Sequence, residues 1–286
     1  RSDGADGDVG LLRHWLDPSI PFAEQVLAPA HGVAITSATL RDEVITTPGT
    51  SVDSEPANDT TPKTGTLPAD WLSASALTGA THLPHPALMS HHRSPFDYAR
   101  QSRIFVVNDL DRDRPDGVAA AMAGLISAAD GGALGLFTSI QRLRATWPAL
   151  APRCAELDIP LYAQHVDRMN LQTLLQLFRE ETRSVLLGTD AVRDGVDVPG
   201  NALQMMIYDR VPWPRPDMLF KARAAWQGRT EWTERVTRMK LRQAFGRLIR
   251  RSDDKGVFVM LDSRLPTRLT SAFPADVEVV RAGLSE

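Results

Sequence analysis

Short runs of uninterrupted apolar residues, separated by helix-length segments, govern what this chain can fold into. V-L-L at 185–187, M-M-I at 205–207 and V-F-V-M-L at 257–261 do not alternate apolar with polar residues. A strand with one wet face alternates, so these runs belong to strands covered on both sides. Residues 103–107, 133–137, 160–163, 185–187, 203–208 and 256–261 read as strands. Helical patterns at 116–129, 140–157, 171–180, 216–225 and 231–251 lie among them. The alternation predicts a doubly wound, mostly parallel α/β sheet flanked by helices. Ligands of such sheets sit at the carboxyl ends of the strands. The unusual loops fall there: Thr138-Ser139, Gly188-Thr189 and the chain from Asp262 onward.

The region before residue 100 is less regular. Residues 1–10 are rich in Gly and Asp and are expected to fray. Residues 11–16 and 21–28 suggest short helical pieces, and G-V-A-I-T-S at 32–37 reads as a short buried strand. From 46 to 66 the composition shifts to Thr, Pro, Ser, Asp, Asn and Gly, the signature of a loop or disordered insertion. Residues 70–77 read as a helix. His82, His85, His91 and His92 follow closely, but no cysteine or carboxylate set completes a zinc site around them.

The stretch R-Q-A-F-G-R-L-I-R-R at 242–251 carries the sharpest chemical signal. On a helix, Gln243, Gly246, Arg247 and Arg250 share one side, and Leu241, Ala244, Phe245, Leu248 and Ile249 cover the other. A glycine inside a helix costs about 1 kcal/mol relative to alanine, so Gly246 suggests a close approach to the backbone. Two aligned guanidiniums with no acid beside them point to an external anion, most naturally phosphate. An amphipathic helix with a solvated basic face is the plain alternative. Between Arg210 and Arg251 there are twelve Lys/Arg and three acids, Asp217, Glu231 and Glu234, although the whole chain carries a net charge of −3. Such a local face favours nucleic acid or phosphate.

Three further stretches could carry chemistry. G-T-D-A-V-R-D-G-V-D-V-P-G at 188–200 sets Asp190, Asp194 and Asp197 among glycines after a strand. It fits a phosphate- or ribose-binding loop and equally a tight turn with capping aspartates. A hydrolase built on those three acids is a weaker possibility. Thr138 and Ser139 could offer hydroxyls and a helix N-terminus to a phosphate, or simply cap the helix. Trp213, in V-P-W-P-R-P, could stack on a base but fits a core tryptophan in a rigid turn better. Cys154 is the single cysteine, which excludes an internal disulfide or a four-cysteine metal site in this chain and fits a cytoplasmic setting. No apolar run approaches the ~20 residues of a membrane span. The chain starts at Arg1, without a signal peptide, and reads as part of something longer.

Taken in order, these pieces resemble the second RecA-like motor domain of superfamily-2 DNA helicases of the DinG/XPD-like group. Ile35-Thr36-Ser37-Ala38-Thr39-Leu40 is similar to motif III, Leu136-Phe137-Thr138-Ser139 to motif IV, Asp194-Gly195-Val196-Asp197-Val198-Pro199-Gly200 to motif V, and Gln243–Arg250 to motif VI. Ser94-Pro95-Phe96-Asp97-Tyr98 matches a recurrent DinG-like stretch. The resemblance implies that Arg247 and Arg250 act as arginine fingers on ATP held by a first motor domain. Gln243, Gly246, Gly195 and Asp197 would line the nucleotide. Thr138, Ser139 and Thr189 would contact single-stranded DNA, and Ser37, Thr39 and Asp194 would couple hydrolysis to movement. Residues 1–66 would then hold the end of the first motor domain with a flexible connector, and 67–286 the second motor domain.

The family usually has Glu where this chain has Asp194. No G-x-x-x-x-G-K-[ST] or D-E-x-H occurs, and Thr61-Pro62-Lys63-Thr64-Gly65 lacks the leading glycine of a phosphate loop. The Mg2+ ligands, and any iron–sulfur cysteines, would therefore lie on an N-terminal part, and this chain alone is expected to hydrolyse no ATP. A non-catalytic RecA-like module that binds nucleic acid or a protein partner is the rival reading.

Overall fold

The computed structural model describes residues 13–37, 39–40, 71–92, 94–195, 197–198 and 200–284. The expectations for residues 1–10 and 46–66, and for the first residues of the helices placed at 11–16 and 70–77, lie outside the described residues, as do Ala38, Val196 and Pro199. In chain order the helices are α1 (Ser19–Phe22), α2 (Leu72–Thr78), α3 (Tyr98–Gln101), α4 (Pro115–Ala129) and α5 (Ile140–Glu156). They continue with α6 (Leu171–Glu180), α7 (Asp190–Gly195), α8 (Met218–Gln227) and α9 (Arg229–Phe245). The strands are β1 (Ser102–Val107), β2 (Ala133–Leu136), β3 (Leu161–Ala163), β4 (Val185–Gly188), β5 (Met205–Tyr208), β6 (Gly256–Met260) and β7 (Val279–Ala282).

Two compact units emerge, one from the described parts of 1–92 with 215–232, the other from those of 93–214 with 233–286. In the first, α1 runs on as a π-helical turn over Ala23–Leu27. The Arg223 guanidinium on α8 donates to the carbonyls of Leu16 at 3.2 Å and Trp15 at 3.3 Å. Residues 13–16 are not helical. Nor do residues 32–37 form a buried strand. Val33 and Ile35 are 51% and 42% exposed, because no strand among the described residues offers them a ladder.

The second unit is the predicted α/β sheet. Its strand order is β3-β4-β2-β5-β6-β1-β7, with every pairing parallel. The period of two along each strand feeds two separate cores. Leu134, Leu136, Leu186, Met206, Tyr208, Phe258 and Met260 face the side packed by α6, α7 and α9. Ala133, Val185, Leu187, Ile207 and Val259 face the side packed by α4 and α5. Each large side chain fully buried in this way stabilises by about 1.5–3 kcal/mol. Gly188 at the tip of β4 has structural cause. A Cβ there would lie 2.1 Å from Cγ2 of Val192, so glycine is what lets α7 turn back over the strand that precedes it.

The sheet differs from expectation at its edge and in one loop. β7 was not anticipated, because it is a four-residue, half-buried edge strand without a continuous apolar run. The stretch after β4 is not all loop: Asp190–Gly195 forms α7, whose first turn is closed by amides of Val192 and Arg193 donating to the Thr189 carbonyl at 2.9 and 3.3 Å.

Candidate functional site

Helix α9 does bury the expected face, since Leu241, Ala244 and Phe245 are within 3% of full burial. It does not run to Arg251. It stops at Phe245, and the chain tightens through i→i+3 bonds from Arg247 N to Ala244 O and Leu248 N to Phe245 O, both 3.0 Å. Arg250 therefore lies beyond the helix, and the single helical face drawn through Gln243, Gly246, Arg247 and Arg250 is corrected. The physical reason is Asp254, itself buried. One carboxylate oxygen accepts the amides of Arg250 at 2.7 Å and Arg251 at 2.8 Å, which a continuing helix would have given to its own carbonyls. Gln101 clamps the same turn from the other side, donating to the carbonyls of Arg251 at 2.9 Å and Asp254 at 3.0 Å. Gly246 is exposed, and a Cβ there would meet only the carbonyls of Arg242 and Gln243 in its own helix. Gln243 is half-buried one turn earlier.

The fold brings α7 and its following loop against these arginines. Arg250 Nη1 pairs with Asp197 Oδ1 at 2.7 Å, and Arg247 Nη2 donates to the Asp194 carbonyl at 3.2 Å. Arg250 thus gains in space the acid that is missing beside it in sequence, whereas Arg247 meets a backbone carbonyl, the Asp194 carboxylate being taken by Arg193. Burial, and then the neighbouring Arg250 charge, lower the Arg247 pKa; Asp194 and Asp197 act against this. The Nε of Arg250 is buried with no hydrogen-bond partner among the described residues. Gly195 has a packing role, since a Cβ there would lie 3.1 Å from Leu175 on α6.

Behind this pair lies a network that the sequence reading missed. Arg193 is buried and donates from Nη1 to Asp190 at 3.0 Å, and from Nε and Nη2 to Asp194 at 2.9 Å each. Lys240 on α9 pairs with Asp190 at 2.8 Å. Burial works against the Arg193 charge, but Tyr208, Asp190 and Asp194 more than offset it and raise its pKa. The spacing Asp190-x-x-Arg193 on a short helix was the available signal.

At the strand tips, buried aspartates fix the loops. Asp209 accepts the Thr138 amide at 2.9 Å and pairs with Arg142; burial pushes its pKa up against the pull of Arg142, Thr138 and Arg210. Ser139 caps α5 by accepting the Arg142 amide at 3.2 Å. The Thr138 amide is thus already engaged. Asp262 pairs with Arg112 and accepts the Val211 amide at 3.1 Å. Thr189 donates from both its amide and its hydroxyl to Gln164 Oε1 at 3.1 Å. Trp213 is 39% exposed, not a core residue, although Val211 and Pro212 just before it are buried.

Ser37 and Thr39 belong to the first unit and bond each other at 3.0 Å between hydroxyls. His82 bonds the Ser19 hydroxyl at 3.0 Å. Among the described residues, no three His, Cys, Asp or Glu side chains group to hold a metal ion, and no helix is long and apolar enough to cross a membrane. Cys154 is a buried free thiol whose pKa burial pushes up to about 11.

Comparison with known proteins converges on one family. The ATP-dependent helicase DinG of Mycobacterium tuberculosis is 38% identical over 186 residues, covering 61% of this chain and 27% of its own length. The ATP-dependent DNA helicase YoaA of Escherichia coli is 33% identical over 186 residues, covering 61% of this chain and 28% of its own. The 3'-5' exonuclease DinG of Bacillus subtilis is 25% identical over 281 residues, covering 92% of this chain and 27% of its own. The chain thus spans little more than a quarter of the length of these relatives. The helicase C-terminal domain family matches residues 122–279, which include β4, α7, the Asp194–Gly200 loop and both arginines. With that match over more than half of its residues, the chain belongs to the helicase C-terminal domain family.

Proposed function

We propose that this chain is the second motor domain of an ATP-dependent, DinG-like DNA helicase, and that Arg247 and Arg250 reach ATP held by a first motor domain. The observation that supports it most is the convergence of Arg247 and Arg250 on Asp194 and Asp197 at the carboxyl edge of a parallel sheet. Two guanidiniums there, one with its charge disfavoured by burial and by the other, stabilise negative charge as it develops on a transferring phosphoryl group. Asp197 holds Arg250 in place until the phosphate competes for it. Gln243 and Gly246 face the nucleotide from the end of α9, and Gly195 keeps the loop close to α6.

On the DNA side, the hydroxyls of Thr138 and Ser139 at the tip of β2 meet a single-strand phosphate, and Thr189 at the tip of β4 joins them by releasing its hydroxyl from Gln164. Ser37, Thr39 and Asp194 couple hydrolysis to domain movement. Residues 1–66 complete the first motor domain and its connector, and 67–286 hold the second, whose sheet is the compact unit of 93–214 with 233–286. Mg2+, where required, takes its ligands from the first motor domain. The purified chain by itself turns over no ATP.

The test is the ATPase rate of the full-length protein with and without single-stranded DNA, beside its Arg250→Ala variant. Removing an arginine finger lowers the rate on the order of 10³-fold or more. An unaffected variant, or a wild-type rate indifferent to DNA, overturns the reading.

A further inference from the structure

A six-residue helix such as α7 contributes little stability of its own. Something must fix its direction, because its last carbonyls border the site. Arg193 is suited to do so. It is 5% exposed, and its fork engages the carboxylates at both ends of α7, Asp190 and Asp194. Asp190 uses its second oxygen to take Lys240 of α9 at 2.8 Å. Asp194 presents its carbonyl to Arg247 at 3.2 Å. Lys240 and Arg247 stand on the same helix and its final turn, so the contacts close a ring: Arg247 to Asp194, to Arg193, to Asp190, to Lys240 and back along α9. Arg193 is the one member of that ring bonded to both acids.

We propose that Arg193 is a positioning residue for Arg247: it clasps α7 onto α9 and so sets the Asp194 carbonyl that orients the Arg247 guanidinium. The inference rests on the reading of Arg247 as a nucleotide contact. Lysine cannot replace it, because one ammonium cannot present the planar fork that holds two carboxylates apart.

A double-mutant cycle on the full-length protein tests this, with DNA-stimulated ATPase as the readout and Arg193→Met, Arg247→Ala and their combination as the variants. Loose placement of a catalytic group costs about 10²-fold. Arg193→Met is therefore expected to lower kcat by about that factor, with KM for ATP within about threefold of wild type. In the Arg247→Ala background the same change should cost no more than about twofold. Arg193→Lys should stay at least about tenfold down. Lys240→Met reads the same ring from α9 should Arg193→Met fold poorly, and it too should lose its effect once Arg247 is gone. A full-sized loss from Arg193→Met in the Arg247→Ala background, or a loss carried by KM, overturns the inference and leaves the functional reading standing. An Arg247→Ala protein as active as wild type overturns the functional reading itself, and the positioning role with it.

Discussion

Asp254 gives the most direct access to the geometry of Arg250. Its carboxylate is buried, and a single oxygen accepts the amides of Arg250 and Arg251 at 2.7 and 2.8 Å. A hydrogen bond to a charged group contributes about 1.5–3 kcal/mol net, so two such bonds bound the loss in Asp254→Ala at about 3–6 kcal/mol. Arg251 is exposed and its amide can return to water, whereas Arg250 is only half-exposed. The expected cost is therefore about 2–4 kcal/mol. Asp254→Asn keeps an acceptor in place and loses the charge, so about half of that is expected. Urea unfolding of the 286-residue chain by linear extrapolation measures both. In a thermal scan, a domain of this size should drop roughly 5–15 °C for the alanine variant. Amide exchange should quicken locally at Arg250 and Arg251. An Asp254→Ala protein within about 0.5 kcal/mol of the parent, in the range of an ordinary surface substitution, would refute the claim that this carboxylate ends the helix and sets Arg250.

Two further outcomes follow from packing and titration. Gly188→Ala places a Cβ 2.1 Å from Val192 Cγ2, so α7 must shift; a loss of about 1–3 kcal/mol in urea unfolding is expected, and a neutral variant would contradict the packing. Cys154 ionises near 9.0 when unfolded and near 11 when folded, so between those values the folded state holds the extra proton and stability falls as pH rises. Two pKa units correspond to about 2.7 kcal/mol. Between pH 9 and 10 the slope should shrink in Cys154→Ala, while above pH 10 Tyr162 and Tyr208, whose pKa values burial raises, keep their own; the native thiol should resist alkylation at pH 8 until denaturant is added.

Much of the sheet was legible because strand burial leaves a direct mark. Val185–Gly188, Met205–Tyr208 and Gly256–Met260 are covered on both faces, and their continuous apolar runs say so. β7 escaped because a half-buried edge strand needs no such run. Of the site, the arginines were visible but their support was not. Periodicity carried α9 on through Arg251, since nothing in a local pattern reveals that Asp254 takes two amides out of the helix. Nor could spacing pair Arg250 with Asp197, 53 residues earlier, or Lys240 with Asp190, 50 residues earlier. The glycine at 195 was noticed as a loop residue, whereas its tight side is the contact with Leu175. Residues 32–37 misled because an apolar run reports only that burial is wanted, not that a neighbouring strand is at hand.

The end of α9 at Phe245 leaves Arg247 and Arg250 on different supports, one at the last turn of a helix and one on a loop clamped by Asp254 and Gln101. Neither can retreat from the other without breaking its own mount. Each guanidinium is therefore held by its own support. Under the proposed reading, a phosphate reaching the pair would meet charges already held in orientation. The corollary is mechanical: with two separate mounts, a rotation of the turn between Phe245 and Asp254 would change the separation of the two guanidiniums without unwinding α9.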